Sequence, residues 1–285
     1  MQNDLSGYLD NSQLKMFQTC PRLYKHVYID GVTNTVGPAA RVSQHLYHAP
    51  LTEWYKGAMK HRPFDAFSAS YWAIQYDKVK LTEQELLKDT KKLYSLSNAQ
   101  HAFEQYTARF SSDFTGYEIL AVEENVVDEK LRFLSRPDVR VRDRKTGDEG
   151  TIELKVTSWQ NVLTAIEFNT QVLGQIHVTD SEFCLFTVMS FGKDSAPIRF
   201  KVERDVRQQN NWRKNLAIQT ATLLVYKEID IWPKHAPEAC TRFGKECQFI
   251  AVCGTEDPEQ KSRLLAEMPH ADPLAYLKNG NGASY

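Results

Sequence analysis

The chain has 285 residues, enough for one large domain or for a core with an added subdomain. Lys and Arg number 35 against 36 Asp and Glu, a net charge of −1, which excludes a chain that is basic throughout; any surface for a polyanion has to be a local patch. Hydrophobic residues at 42% and aromatics at 11% suffice for a sizeable core, and no run approaches the roughly 18 apolar residues of a membrane span.

The first residues, MQNDLSGYLDNSQLK, hold no apolar run behind a basic start. They do not read as a secretory signal, and the expectation is a cytoplasmic chain with no membrane partner. Residues 11–29 are expected to be helical, capped by Asn11 or Ser12, with Leu14, Phe17 and Tyr24 on the apolar face and a kink or restart at Pro21. Residues 41–60 read as a second helix and 82–110 as one or two more, with Thr82-Glu83-Gln84-Glu85 resembling a capping box. From Tyr117 the texture changes to strands, over 118–127, 131–143 and 151–157, with a turn at 147–150. A helix over 160–178 follows, then strands over 183–191 and 197–203, a long helix over 204–228 and a Cys-bearing tail from Pro233 whose last ten residues look frayed. This order predicts an α/β fold, a mixed central sheet flanked by helices. Its expected parts are an N-terminal helical part (1–115), a core (116–230) and a C-terminal cysteine clasp and tail (231–285).

Side chains on a strand alternate between two faces. In 151–157, Ile152, Leu154 and Val156 point one way, towards the core; Glu153 and Lys155 share the other face with Thr151 and Thr157. In 131–143, Asp138 shares a face with Arg136, Arg140 and Arg142. Pro137 cannot donate to a ladder, so a bulge or an edge is expected there. A hairpin of these strands can bring Asp138 near Glu153, and two such carboxylates call for a hard divalent cation between them. A lysine two residues beyond the acid can hold the attacking water of a hydrolysis. The competing reading is a hairpin with a solvated charged face, and a short D…ExK string does not decide between them.

The surrounding residues do. Ser12-Gln13-Leu14…Phe17…Cys20-Pro21…Tyr24, then His48-Ala-Pro-Leu51…Trp54-Tyr55-Lys56-Gly57, then Arg136-Pro137-Asp138 before Glu153-Leu154-Lys155, then Gln171-Val-Leu-Gly174, then Cys240, Cys247 and Cys253 occur in one order. In that order they resemble the PD-(D/E)XK nuclease superfamily, in its RecB-like branch with a cysteine-bound cluster, which includes phage-borne exonucleases and CRISPR-associated adaptation nucleases. The resemblance implies a nuclease acting on DNA with Mg²⁺ or Mn²⁺. It favours an exonuclease on single strands or ends, in recombination, repair or phage DNA processing, in the host cytoplasm if phage-encoded. Recombination or replication proteins are implied as possible partners.

It further implies His48, Asp138, Glu153 and the Leu154 carbonyl as metal ligands, Lys155 as the residue that positions the water and Gln171 as an orienting residue. Glu123 resembles a supporting acid on the first strand, and His45 could stand in for His48. The tyrosine of the family's Q-x-x-x-Y is Gln175 here, one helical turn from Gln171, and is a candidate DNA contact with Arg136 and Arg140. Lys130, Arg132, Arg142, Arg144 and Lys145 widen that basic patch, which could equally be a protected edge strand. Trp54, Tyr55, Tyr71 and Trp72 are either base-stacking platforms or core. Cys20 with Cys240, Cys247 and Cys253 is implied to bind a [4Fe–4S] cluster, although the tail gaps depart from the better-known C-x-x-C-x5-C. Cys184 reads as core. The different-class alternative is a non-catalytic DNA-binding or recombination accessory protein on the same fold. A restriction-type endonuclease would need a recognition domain that the chain does not display.

Overall fold

The computed structural model describes residues 7–32, 37–61, 69–89, 92–157, 169–191, 196–235, 239–242 and 245–274. Residues 160–168 of the expected fourth helical stretch and the expected frayed end, 276–285, lie outside the described residues. The helices before the sheet are α1 (Asn11–Thr19), α2 (Pro21–Tyr24), α3 (Pro38–Val42), α4 (Ala49–Met59), α5 (Ala69–Val79), α6 (Glu83–Lys88), α7 (Leu96–Arg109) and α8 (Asp113–Gly116), with π-helical turns at Lys25–Ile29 and Ser43–His48. Strands follow as β1 (Tyr117–Val122), β2 (Val126–Asp128), β3 (Phe133–Ser135), β4 (Val139–Asp143) and β5 (Glu149–Thr157). Then come α9 (Thr170–Val178), β6 (Phe183–Ser190), β7 (Ile198–Glu203), α10 (Val206–Ile229), the hairpin β8 (Thr241–Arg242) and β9 (Lys245–Glu246), α11 (Ile250–Gly254) and α12 (Pro258–Ala266). Among the described residues no helix is long and apolar enough to cross a membrane.

The expected fold class holds, with finer divisions. The single strand expected over 131–143 is broken at Arg136–Asp138, because Pro137 has no amide to pair. The stretch 118–127 divides where Glu123 takes a left-handed φ of +52°. The stretch 82–110 is two helices; Thr82 and Glu85 do form the capping box that opens the first, and Ser95 caps the second. Helix α5 and the short elements after Trp232 were not foreseen.

The chain packs as two units. One comprises residues 36–128 and 135–212; the other comprises 1–35, 129–134 and 213–284, so the first helices lie with the tail rather than with the helical stretch that follows them.

The first of these holds a five-stranded sheet in the order β1-β4-β5-β6-β7. All neighbours are antiparallel except β5 and β6, and a parallel pair needs a crossover, which contains α9. One face carries Val139, Val141, Ile152, Leu154, Leu185 and Met189 against the helical layer of Leu51, Trp54, Tyr55, Trp72, Phe103 and Tyr106. Trp54, Tyr55 and Trp72 are therefore core, not stacking platforms. The other face packs Cys184, Phe186 and Val202 against Val172 and Ile176 of α9, which bears out the reading of Cys184 as core. Gly150 is required where β5 meets β6: a Cβ there would lie 2.3 Å from the Phe183 ring.

The second unit has its own apolar clusters. Phe17 and Tyr24 pack with Leu223 and Trp232, and Val27 and Val32 pack with Phe249.

Candidate active site

Three strands and two helices bring the acidic residues together. The β4–β5 ladder runs from Arg142↔Glu149 to Val139↔Ile152. The ladder stops at that pair; the same register carried on would set Asp138 opposite Glu153 and Pro137 opposite Leu154. The Leu154 amide donates to Asp138 Oδ2 at 2.7 Å, so a side chain takes the place of a backbone acceptor. The amide and carbonyl of one strand residue point to the same side. The Leu154 carbonyl thus faces the β4 side, where Pro137 has no amide to offer it.

His48, at the end of the π-helical turn before α4, reaches the same carboxylate: its Nδ1 lies 3.5 Å from Asp138 Oδ1. A small hollow between α4 and the sheet is lined by His48, Thr52, Tyr55, Asp138, Ile152 and Leu154. His45 makes no such approach; burial and nearby Lys78 hold its imidazole below the usual range. Glu123 sits beside Asp138, its amide donating to the Asp138 carbonyl at 3.0 Å. Thr52 Oγ1 of α4 donates to Glu123 Oε1 at 3.0 Å.

Glu153 lies on the sheet face covered by α9, and strand alternation alone did not reveal that cover. It is 4% exposed. Asn169 caps α9 by accepting from the amides of Gln171 at 2.9 Å and Val172 at 3.4 Å, and so sets where the first turn begins. From that turn Gln171 Nε2 donates to Glu153 Oε1 in a short contact, and one turn later Gln175 Nε2 donates to Oε2 at 2.5 Å. Burial, then repulsion by Asp138, pushes the Glu153 carboxyl well above its ordinary range, against the opposing pull of the Gln175 amide, Lys155 and Arg136. Lys155, two residues on, is exposed.

Two expected DNA contacts sit differently. Gln175 is 1% exposed and turned inward, with its Oε1 also 3.9 Å from Cys184 Sγ, so burial removes it from any nucleic acid. Arg140 pairs with Glu124 at 2.7 Å and Glu149 at 3.4 Å, and Arg142 with Glu118 at 3.0 Å and Glu149 at 2.7 Å. Strand β4 lies inside the sheet rather than at its edge, and much of its basic face is neutralised across the strands. Arg136 is half-buried, and its charge acts on Glu153.

The residues fit a hard divalent cation by chemistry. Two carboxylates that repel each other, a carbonyl facing a strand without an amide and a neighbouring imidazole form an oxygen-rich donor set. Among the described residues no three His, Cys, Asp or Glu side chains already converge on one ion.

In the other unit, Cys20, Cys240, Cys247 and Cys253 line one hollow with Leu23, His26, Lys234 and Phe249. The Cys247 amide donates to the Cys240 carbonyl at 2.7 Å, closing the β8–β9 hairpin, and Cys253 lies on α11. None of the four is joined in a disulfide among the described residues. Burial raises Cys247 and Cys253, and both also feel Cys20.

A family model described as the PD-(D/E)XK nuclease superfamily matches residues 11–254. No curated protein matches the chain. Among solved structures, the "Putative exonuclease" of Eubacterium rectale aligns over 88% of this chain and 89% of its own, with 10% identity and a TM-score of 0.50, a likeness of fold alone. An alkaline exonuclease of Laribacter hongkongensis, also solved in complex with dAMP, aligns over 65% of this chain and 95% of its own, with 18% identity and a TM-score of 0.33.

Proposed function

Since the chain belongs to the PD-(D/E)XK nuclease superfamily, we propose that it is a deoxyribonuclease that hydrolyses phosphodiester bonds with Mg²⁺ or Mn²⁺, acting as an exonuclease on single strands or DNA ends. The observation that carries the catalytic reading is that Asp138, bonded to the Leu154 amide where the β4–β5 ladder has stopped, lies close enough to repel the Glu153 carboxylate, with Lys155 exposed two residues on.

Asp138, Glu153, the Leu154 carbonyl and His48 would hold the cation, which supplies Lewis acidity at the scissile phosphate. Gln171 and Gln175 fix both oxygens of Glu153, so the carboxylate cannot swing away from the site. Lys155 orients the attacking water and, after attack, faces the extra negative charge on the phosphate oxygens. Arg136 is the candidate phosphate contact. Arg140 joins it only by releasing Glu124 and Glu149.

The four cysteines are proposed to hold a [4Fe–4S] cluster. Four thiols lining one hollow fit its donor set, and a cluster, being larger than an ion, takes thiolates spread around it. Iron and sulfide in an anaerobic preparation are expected, measured by metal and sulfide analysis; stoichiometric zinc would reject the cluster. A place in recombination, repair or phage DNA processing rests on the superfamily branch that the motif order resembles.

The test is cleavage of single- and double-stranded DNA labelled at one end or internally, with Mn²⁺. Mononucleotide release from ends is expected. Lys155→Ala is expected to lower the rate by at least about 10²-fold, the scale of a lost transition-state donor, with DNA binding retained. Equal rates in the variant would overturn the mechanism, and binding without cleavage in the unaltered chain would favour the accessory-protein alternative.

A further inference from the structure

The cysteine hollow has a fifth polar member. His26 lies on the π-helical turn Lys25–Ile29 and is 6% exposed. Its ring stacks on Phe249, with centroids 4.8 Å apart and planes at 26°. Its Nδ1 lies 3.0 Å from Asp30 Oδ2, and Lys25 Nζ donates to the other oxygen, Oδ1, at 2.8 Å. Stack, carboxylate and helical turn together fix the ring's position and its rotation.

The other ring nitrogen is unaccounted for. Nε2 is buried without a hydrogen-bond partner, and His26 lines the same hollow as Cys20, Cys240, Cys247 and Cys253. A buried imidazole nitrogen left unpaired is costly, and native structures avoid it unless something else occupies the space beside it. Asp30 accepts only, so Nδ1 carries a proton towards it, and Nε2 is the nitrogen left for the hollow.

We propose that His26 contacts the thiolate-held centre, its Nε2 edge in polar contact with a cluster or cysteine sulfur, with Asp30 fixing the ring from behind. This rests on the four-cysteine cluster reading above. The arrangement follows the general pattern in which an outer carboxylate orients a histidine that faces a metal centre. Hydrogen bonds to the sulfurs are among the levers that set the reduction potential of such a cluster, so His26 acts as a tuning residue for the centre rather than as one of its four ligands.

The experiment uses the full chain, reconstituted anaerobically with iron and sulfide, as wild type, His26→Leu and His26→Gln. Iron and sulfide are counted first. The midpoint potential is then read by a redox titration followed by electron paramagnetic resonance. Pulsed measurements on the reduced cluster, in protein labelled with ¹⁵N-histidine, look for nitrogen coupling. The expected result is a histidine coupling in the wild type that both variants lose, a potential that falls in His26→Leu, and partial recovery in His26→Gln, whose amide can again place a polar group near the Nε2 position. Equal potentials in all three proteins, with no histidine coupling, would overturn the inference while leaving the cluster intact. A wild type that takes up no iron and sulfide would overturn the cluster reading and this inference with it, and the metal count shows which has failed. If His26→Leu does not fold, the wild-type coupling and the His26→Gln potential still decide.

Discussion

Glu153 carries its carboxyl group in a buried setting. Burial and Asp138 raise its proton affinity in the folded chain above the ordinary carboxylate value of 4.5. As pH rises past that value, the unfolded chain releases this proton first, so the contribution of Glu153 to stability is full below the ordinary range and is lost as pH rises towards the folded value. Glu153→Gln removes the titration, and an amide flip of Gln175 can restore its partner. The metal-free variant is therefore expected to melt several degrees above the wild type at pH 7, with the difference shrinking by pH 4, as measured by calorimetry in chelator; a constant difference across that range would reject the account. Asp138, Glu153 and Lys155 were legible as residues because strand alternation places an acid and a lysine two apart on one face. Their unequal fates were not legible, because alternation says which residues share a face and not where a helix ends above it. Gln175 shows the same limit. Its spacing from Gln171 marked a common helix face, but only the depth of α9 turns it to Glu153 and away from solvent.

At the scale of elements, the β5–β6 pairing depends on a missing side chain. Gly150 admits the Phe183 ring, and Gly150→Ala is expected to lower stability by about 1–3 kcal/mol, the range for overpacking a filled core. The urea midpoint reads this, and an unchanged midpoint would mean that the ring moves freely aside. The sequence pointed to a turn here, since Gly147-Asp148-Glu149-Gly150 is turn-like. In the structure only Gly147 takes the left-handed conformation, at φ +81°, while Gly150 belongs to the strand. For the apolar run 183–191 and the long helix read over 204–228, element type and extent were close to the observed β6 and α10. The break at Pro137 was legible as an irregularity, but its consequence for Leu154 depends on a register that only the paired strands define.

For the whole molecule, a net charge of −1 and the ion pairs of Arg140 and Arg142 leave few cations for a polyanion near the acidic site. Two phosphate contacts, from Arg136 and Lys155, predict a slope of log affinity against log salt of about −1.4 on single strands, at about −0.7 per contact. If Arg140 leaves Glu124 and Glu149, the slope becomes about −2.1. Anisotropy titrations with a metal-free chain measure it, and a slope near about −5 would reveal a larger basic surface. The arrangement of units was the least legible feature. A consecutive reading grouped residues 1–115, whereas the first 35 residues pack with 129–134 and 213–284. The contacts responsible, such as the bridge from Leu9 to Phe133 and the bond from Arg22 Nε to the Trp232 carbonyl, join residues far apart in sequence that carry no local signal.

Pro137 contributes by what it lacks. A residue with an amide hydrogen at that position could lend it to the Leu154 carbonyl and add one more rung, zipping the two strands together where the acids now part. The proline is a stop on that zipper. It keeps a backbone oxygen open beside two side-chain acids, so the mouth of the cleft is set in the main chain, and the acids could all be retained while the opening itself was lost to a single added hydrogen.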